Sequence, residues 1–200
     1  MTVTPTTVRV HVAPPNRGYP TAWWGMVVLI TTEGMIFLAL LSAYFFVRSS
    51  APTWPLGGIE APELLRTGVF SVFLLASSIP VFWMEHALVR GHMRQVLLGL
   101  IIAFLMGAAF LGNTAYDFGH MGFGWKDNAY ASLFYVIIGL HALHVLVGLL
   151  MNLTVQAKVV TGKVSAREHT TPDVFALYWH FVDRVWLFVF SALIISPHIR

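Results

Sequence analysis

Five long apolar runs, each broken by only a few polar positions, alternate along the chain with polar segments. They extend from Trp23 to Val47, Thr67 to Ala87, Gln95 to Asn113, Ala129 to Val155 and Val174 to Ile195. Crossing about 30 Å of hydrocarbon takes roughly 20 helical residues, so each run predicts one transmembrane helix. None carries strand-like alternation, and a helix satisfies its backbone polar groups internally where water is excluded. The expected fold is all-α: a polytopic membrane bundle of five transmembrane helices, consecutive ones antiparallel and adjacent because the links look short. No internal repeat is evident. Residues 1–22 precede the first run as a polar N-terminal segment holding Pro5, Pro14, Pro15 and Pro20. That segment is expected to be extended and, having no apolar core of its own, to stay on the protein. Residues 23–200 are expected to form a single transmembrane domain.

Composition agrees with a lipid solvent. Of 200 residues, 57% are hydrophobic and 10% charged, and the mean hydropathy is +0.72, far from a soluble domain's balance. Cysteine is absent, which excludes disulfides, iron-sulfur clusters, thiolate zinc sites and copper centres built on cysteine sulfur. The net charge of +3 implies no nucleic-acid partner; where the charges fall is more informative. Arg9, Arg17, Arg90, Arg94, Lys158, Lys163 and Arg167 lie on the N-terminal side of the predicted spans, against Arg48, Arg66, Lys126 and Arg200 opposite, with Arg184 inside the fifth. Cytoplasmic loops collect Lys and Arg, so the N-terminus is expected in the cytoplasm and the C-terminus outside. Trp23, Trp24, Trp54, Trp125 and Tyr130 stand at the predicted boundaries, where amphipathic aromatics settle.

A few polar side chains interrupt the spans. Glu33 lies ten residues into the first, about 15 Å below its boundary by helical rise, where an ionised carboxylate costs several kcal/mol. It is either a neutral acid tying two helices together or a functional carboxyl that binds lipid or moves a proton. The fourth span holds His141 and His144, and the fifth His180 and Asp183; each pair is spaced i, i+3 and shares a helix face. Counted by depth, these groups reach a level comparable to Glu33, so a buried polar layer of Glu33, His141, His144, His180 and Asp183 is expected to link the first, fourth and fifth spans. Asp183 and Arg184 project about 100° apart and should find partners on other helices. Three imidazoles suit copper, zinc or iron, but no fourth ligand is marked, and membrane histidines commonly bond across helices. No metal site and no catalytic centre is expected. Arg90 and Arg94, at the cytoplasmic end of the second span, can attract anionic lipid headgroups. Gly99, Gly107, Gly112, Gly139 and Gly148 suggest close helix packing.

Several stretches resemble one family. TTEGMIFLALLSAYFFVRSS followed by Trp54-Pro55, the Ser77, Ser78, Trp83, His86, Gly91 and Arg94 pattern of LLASSIPVFWMEHALVRGHMRQ, the segment NTAYDFGHMGFGWKDNAYASLFYVIIGLHALHVLVG, and YWHFVDRVWLFVF are together similar to subunit III of haem-copper oxidases, in its five-helix bacterial form. The resemblance covers roughly Ala22 to Ile195. Asn113 and Asp117 stand where the family commonly has Gln and Glu, Glu85 and Arg48 where it often has His, and Arg184 where an apolar residue is frequent. The resemblance implies a non-catalytic subunit of a proton-pumping terminal oxidase that reduces oxygen to water. Such a subunit packs against catalytic subunit I, with subunit II in the same complex, while haem and copper belong to its partners. It binds structural phospholipid in a cleft between its first helices and the rest of the bundle, here with Glu33, His86, Arg90 and Arg94 as the lipid-binding residues. It supports proton uptake and the stability of subunit I, in the bacterial plasma membrane. A small proton-coupled transporter would also place a carboxyl and histidines at mid-membrane, and an accessory subunit of a nitric oxide reductase shares the same fold family.

Overall fold

A computed structural model of the chain describes residues 18–59, 63–165 and 168–198. Arg9, Arg17, Arg167 and Arg200 of the charge count, and most of the polar N-terminal segment, lie outside them. The described residues form helices α1 (Thr21–Ser50), α2 (Leu64–Ala76), α3 (Ser78–Val89), α4 (Met93–His120), α5 (Ala129–Val160) and α6 (Thr170–Phe190), and contain no strand. Together α2 and α3 make one apolar span, Leu64–Val89, and α6 continues through a π turn and a short 3-10 turn to His198, so five spans are long and apolar enough to cross a membrane.

The second span is broken where the sequence suggests continuity. Pro80 has no N–H to give the carbonyl one turn earlier, and the Ser77 hydroxyl bonds back to the Leu74 carbonyl, a contact that bends helices. The third span runs past Asn113, its expected end, to His120. Its last turns carry Asp117, whose charge is met by Arg66 on α2.

Consecutive helices are not all neighbours. Helix α4 packs on α3, α2 and α5, and α5 on α6, but α1 lies chiefly against α6 and α5 rather than beside α2. The cause is the first connection, residues 51–63, which is longer than a tight turn and, where described, crosses the end of the bundle. Trp54 enters an aromatic cluster, its Nε1–H donating to the Tyr44 hydroxyl at 3.1 Å and its ring meeting Tyr130 edge-on at 5.0 Å. Asn128, which caps α5 by accepting from the Ala131 N–H, donates its amide to the Leu56 carbonyl at 3.0 Å. At the same end Arg48 bonds the hydroxyl and carbonyl of Ser196, pinning α1 to the last turn of the chain.

The core is centred on α6. Ten of its residues are buried, against only Phe37 and Tyr44 on α1. Trp179 is its hub. A methyl group built on Gly107 of α4 would come within 2.7 Å of the indole, and one on Gly148 of α5 within 2.8 Å. Its Nε1–H donates to the Ser77 hydroxyl at 2.9 Å, at the break between α2 and α3. Small residues let backbones approach closely where lipid supplies no hydrophobic drive, and here they let one indole join four helical segments.

Candidate functional site

Glu33 and His144 face each other across the α1–α5 interface, Oε2 to Nε2 at 3.2 Å. His144 Nδ1 lies 2.8 Å from the Leu140 carbonyl, an acceptor only, so this nitrogen carries a proton. The Nε2 contact then needs one further proton, held by the carboxyl or by the imidazole. In either arrangement the pair's net charge is zero. That is how an acid is accommodated near mid-span in a medium that penalises charge. Phe37 meets the His144 ring edge-on at 5.2 Å, and the Tyr178 hydroxyl donates to the His144 carbonyl at 3.2 Å. The pair is asymmetric in access: the His144 side chain is 10% exposed and that of Glu33 30%, so the carboxyl opens toward the outside of the bundle.

His180 and Asp183 belong to a second group, with span two rather than with Glu33. Ser78 donates its only hydroxyl proton to Asp183 Oδ2. Ser78 Oγ also lies 3.1 Å from His180 Nδ1, and because its proton is committed to Asp183, the imidazole nitrogen is the donor in that contact. Phe82 stacks on the imidazole at 4.2 Å, and Glu85 Oε2 lies 3.6 Å from its Nε2. Ser78 stands at the start of α3 directly after the helix break, so the break supplies the hydroxyl that the α6 pair requires.

The remaining member of the expected layer is isolated. His141 is buried among Phe37, Phe110 and Trp186, its ring stacked 4.6 Å from the Trp186 ring, and neither of its nitrogens has a hydrogen-bond partner among the described residues. The five side chains thus form two bonded groups and one enclosed imidazole rather than one continuous layer. Among the described residues no three His, Asp or Glu side chains converge as a metal ion would require.

The four residues expected to hold lipid are not gathered together. Glu33 is near the middle of α1, whereas His86, Arg90 and Arg94 are exposed around the α3–α4 corner. His86 bonds its own helix through the Phe82 carbonyl at 2.8 Å, and Arg90 and Arg94 make no ion pair among the described residues, leaving both guanidinium groups available. A cavity of about 730 Å³ lies at the other end of the bundle, between α2, α4, α5 and α6. Its floor is apolar, with Phe110, Phe134, Ile138 and Trp186, and Arg66 stands at its mouth. The Arg66 guanidinium pairs with Asp117, donates through Nε to Asn113 Oδ1 at 3.0 Å and lies 4.4 Å over the Tyr116 ring. Sequence reasoning marked Asn113 and Asp117 only as departures from a pattern. Arg66, just before the second apolar run, entered that reasoning only in the count of loop charges.

Five spans long and apolar enough to cross a membrane, an acid met by an imidazole across a helix interface and a core locked by small residues around one indole describe a polytopic membrane protein. Residues 10–196 match the family model of cytochrome c oxidase subunit III. The chain is 33% identical over 172 residues to cytochrome c oxidase subunit 3 of Thermostichus vulcanus, covering 86% of this chain and 85% of that one. It is 38% identical over 180 residues to that of Synechocystis sp., covering 88% and 76% respectively. The subunit 3 of Gallus gallus is 32% identical over 177 residues, 85% of this chain and 67% of that one. The chain belongs to the cytochrome c oxidase subunit III family. It is a subunit of an aerobic terminal oxidase and not the one that carries the catalytic centre. That membership decides against the transporter alternative, and the relatives named above are oxidase subunits.

Proposed function

We propose that this chain sits in the plasma membrane with its N-terminus in the cytoplasm, packs against catalytic subunit I in a complex that includes subunit II, retains phospholipid, and supports proton uptake by that complex. The observation that carries this reading is the Glu33–His144 pair. It holds one proton without net charge near mid-span, and its carboxyl is reachable from outside the bundle. A carboxyl so placed can bond a lipid or exchange a proton with a neighbouring subunit, whereas a purely structural acid would be closed off on every side. Haem and copper belong to the partner subunits. Arg90 and Arg94, near His86, supply free positive charge for a lipid phosphate at the proposed cytoplasmic surface.

Glu33→Gln tests the reading, because the amide keeps the shape and can donate to His144 Nε2 while losing the exchangeable proton. Assembly of the oxidase is expected to persist, while copurified lipid changes or the enzyme's active life during turnover shortens. Unaltered lipid content together with an unaltered lifetime would refute it.

A further inference from the structure

Arg184 is the one charged side chain of α6 that faces outward from deep within a span. It lies midway along Thr170–His198, about 21 Å from the start of α6 by helical rise, and its side chain is exposed. It makes no hydrogen bond or ion pair among the described residues, and the residues that follow it on the same side, Leu187 and Phe188, are exposed and apolar. A guanidinium is never neutral in a protein, and snorkelling along the helix recovers only part of such a depth. Membrane charges of this kind face a protein partner or water rather than acyl chains.

Arg184 lies on one face of α6 that borders a groove. Thr170, Asp173, Leu177, His180 and Arg184 line a groove of about 260 Å³ together with Glu85 of α3 and Tyr19 and Trp23 at the start of α1. Their spacing along α6 is 3, 4, 3 and 4 residues, which is the seam one helix presents to another. Glu85 is turned to His180 and leaves Arg184 without a countercharge. Residues 1–17, next to Tyr19 in the chain, contain two arginines and no acid, so they cannot provide one.

We propose that this groove receives a transmembrane helix of another subunit of the oxidase, and that the helix carries an aspartate or glutamate opposite Arg184. The inference rests on the chain's place in the complex, not on the role proposed for Glu33. The partner is specified by charge and depth: a carboxylate near mid-membrane, on a helix packed along the α6 seam between α1 and α3. A lipid would fill the groove with acyl chain at that level and leave the guanidinium unmet.

The test uses the intact complex. The chain has no cysteine, so Leu187→Cys provides a unique attachment point for a photo-crosslinker beside Arg184, and Val28→Cys an equivalent point on the outer face of α1. The expected product from position 187 is a crosslink to a transmembrane peptide of another subunit that contains an acid. Arg184→Leu provides the second measurement. Leucine is favoured in lipid, so the chain should accumulate in the membrane as before, while its retention on the oxidase during detergent washing should fall about tenfold or more. Replacing the partner's acid by leucine should restore retention to the Arg184→Leu variant. Crosslinks to lipid alone, or retention of Arg184→Leu equal to that of the parent chain, would overturn the proposal.

Discussion

Trp179 offers the sharpest test of how the bundle is held together. In Gly107→Ala the new methyl carbon would lie 2.7 Å from the indole, and in Gly148→Ala 2.8 Å, against an ordinary contact near 3.4 Å. Each variant therefore asks the ring to move by about 0.6–0.7 Å in a packed interior. Moving it draws Nε1 away from the Ser77 hydroxyl, now at 2.9 Å, where a buried donor left unpaired costs about 1–3 kcal/mol. Overpacking alone costs about 1–3 kcal/mol, so each variant should lose about 2–6 kcal/mol where ring and hydrogen bond are both disturbed. The double variant should not lose the simple sum, because both methyl groups act on the same ring. Gly112→Ala on the same α4 is the control. A methyl there meets nothing within 4 Å, and alanine is the better helix former by up to about 1 kcal/mol. The assay is thermal unfolding of the purified oxidase in mild detergent, with dissociation of this subunit as the readout. If Gly107→Ala and Gly148→Ala both dissociate at the parent's temperature, the indole is not the lock described above.

Two further outcomes follow from polar groups in the spans. His141→Leu removes two buried nitrogens that bond nothing and forfeits a stacked contact with Trp186; stacking is worth about 0.5–1.5 kcal/mol and an unmet polar group costs about as much. The variant should match the parent within about 1 kcal/mol in the same unfolding assay, and a larger loss would show that the imidazole has a partner in the complex. The Arg66–Asp117 pair is part-exposed, at 33% and 23%, so an Arg66→Met and Asp117→Leu double-mutant cycle should give a coupling of about 1 kcal/mol; a coupling indistinguishable from zero would remove this pair as the reason α4 extends to His120.

Much of the fold was legible because hydrocarbon imposes one rule on every span. The five apolar runs became five spans, and the long runs without acids or bases needed no tertiary knowledge to place. The break at Ser77 was harder to see, since Ser77, Ser78 and Pro80 carry no charge and barely lower the hydropathy of the run. Ends were legible only where polarity changes abruptly: the third span was expected to stop at Asn113, where its apolar run ends, and nothing local announces that Arg66, far away in sequence, meets Asp117 one turn further on. Within the polar set, helical spacing placed His141 with His144 and His180 with Asp183 on shared faces. Spacing within one helix, however, says nothing about which neighbour that face meets. Glu33 meets His144, Ser78 meets both His180 and Asp183, and His141 packs against the rings of Phe37, Phe110 and Trp186, because α1 swings across to α5 and α6 on a connection whose course depends on Trp54 and Asn128.

The placement of α1 also bears on how the chain enters its membrane. Helix α1 emerges from the ribosome well before the helices it lies against, α5 and α6. Glu33 and His144 are separated by 111 positions, roughly 6–22 s of synthesis at bacterial or eukaryotic elongation rates. Throughout that interval the leading segment has a carboxyl with no imidazole to share its proton, so the nascent chain depends on the insertion machinery, or on a waiting subunit, to shield it until the rest arrives.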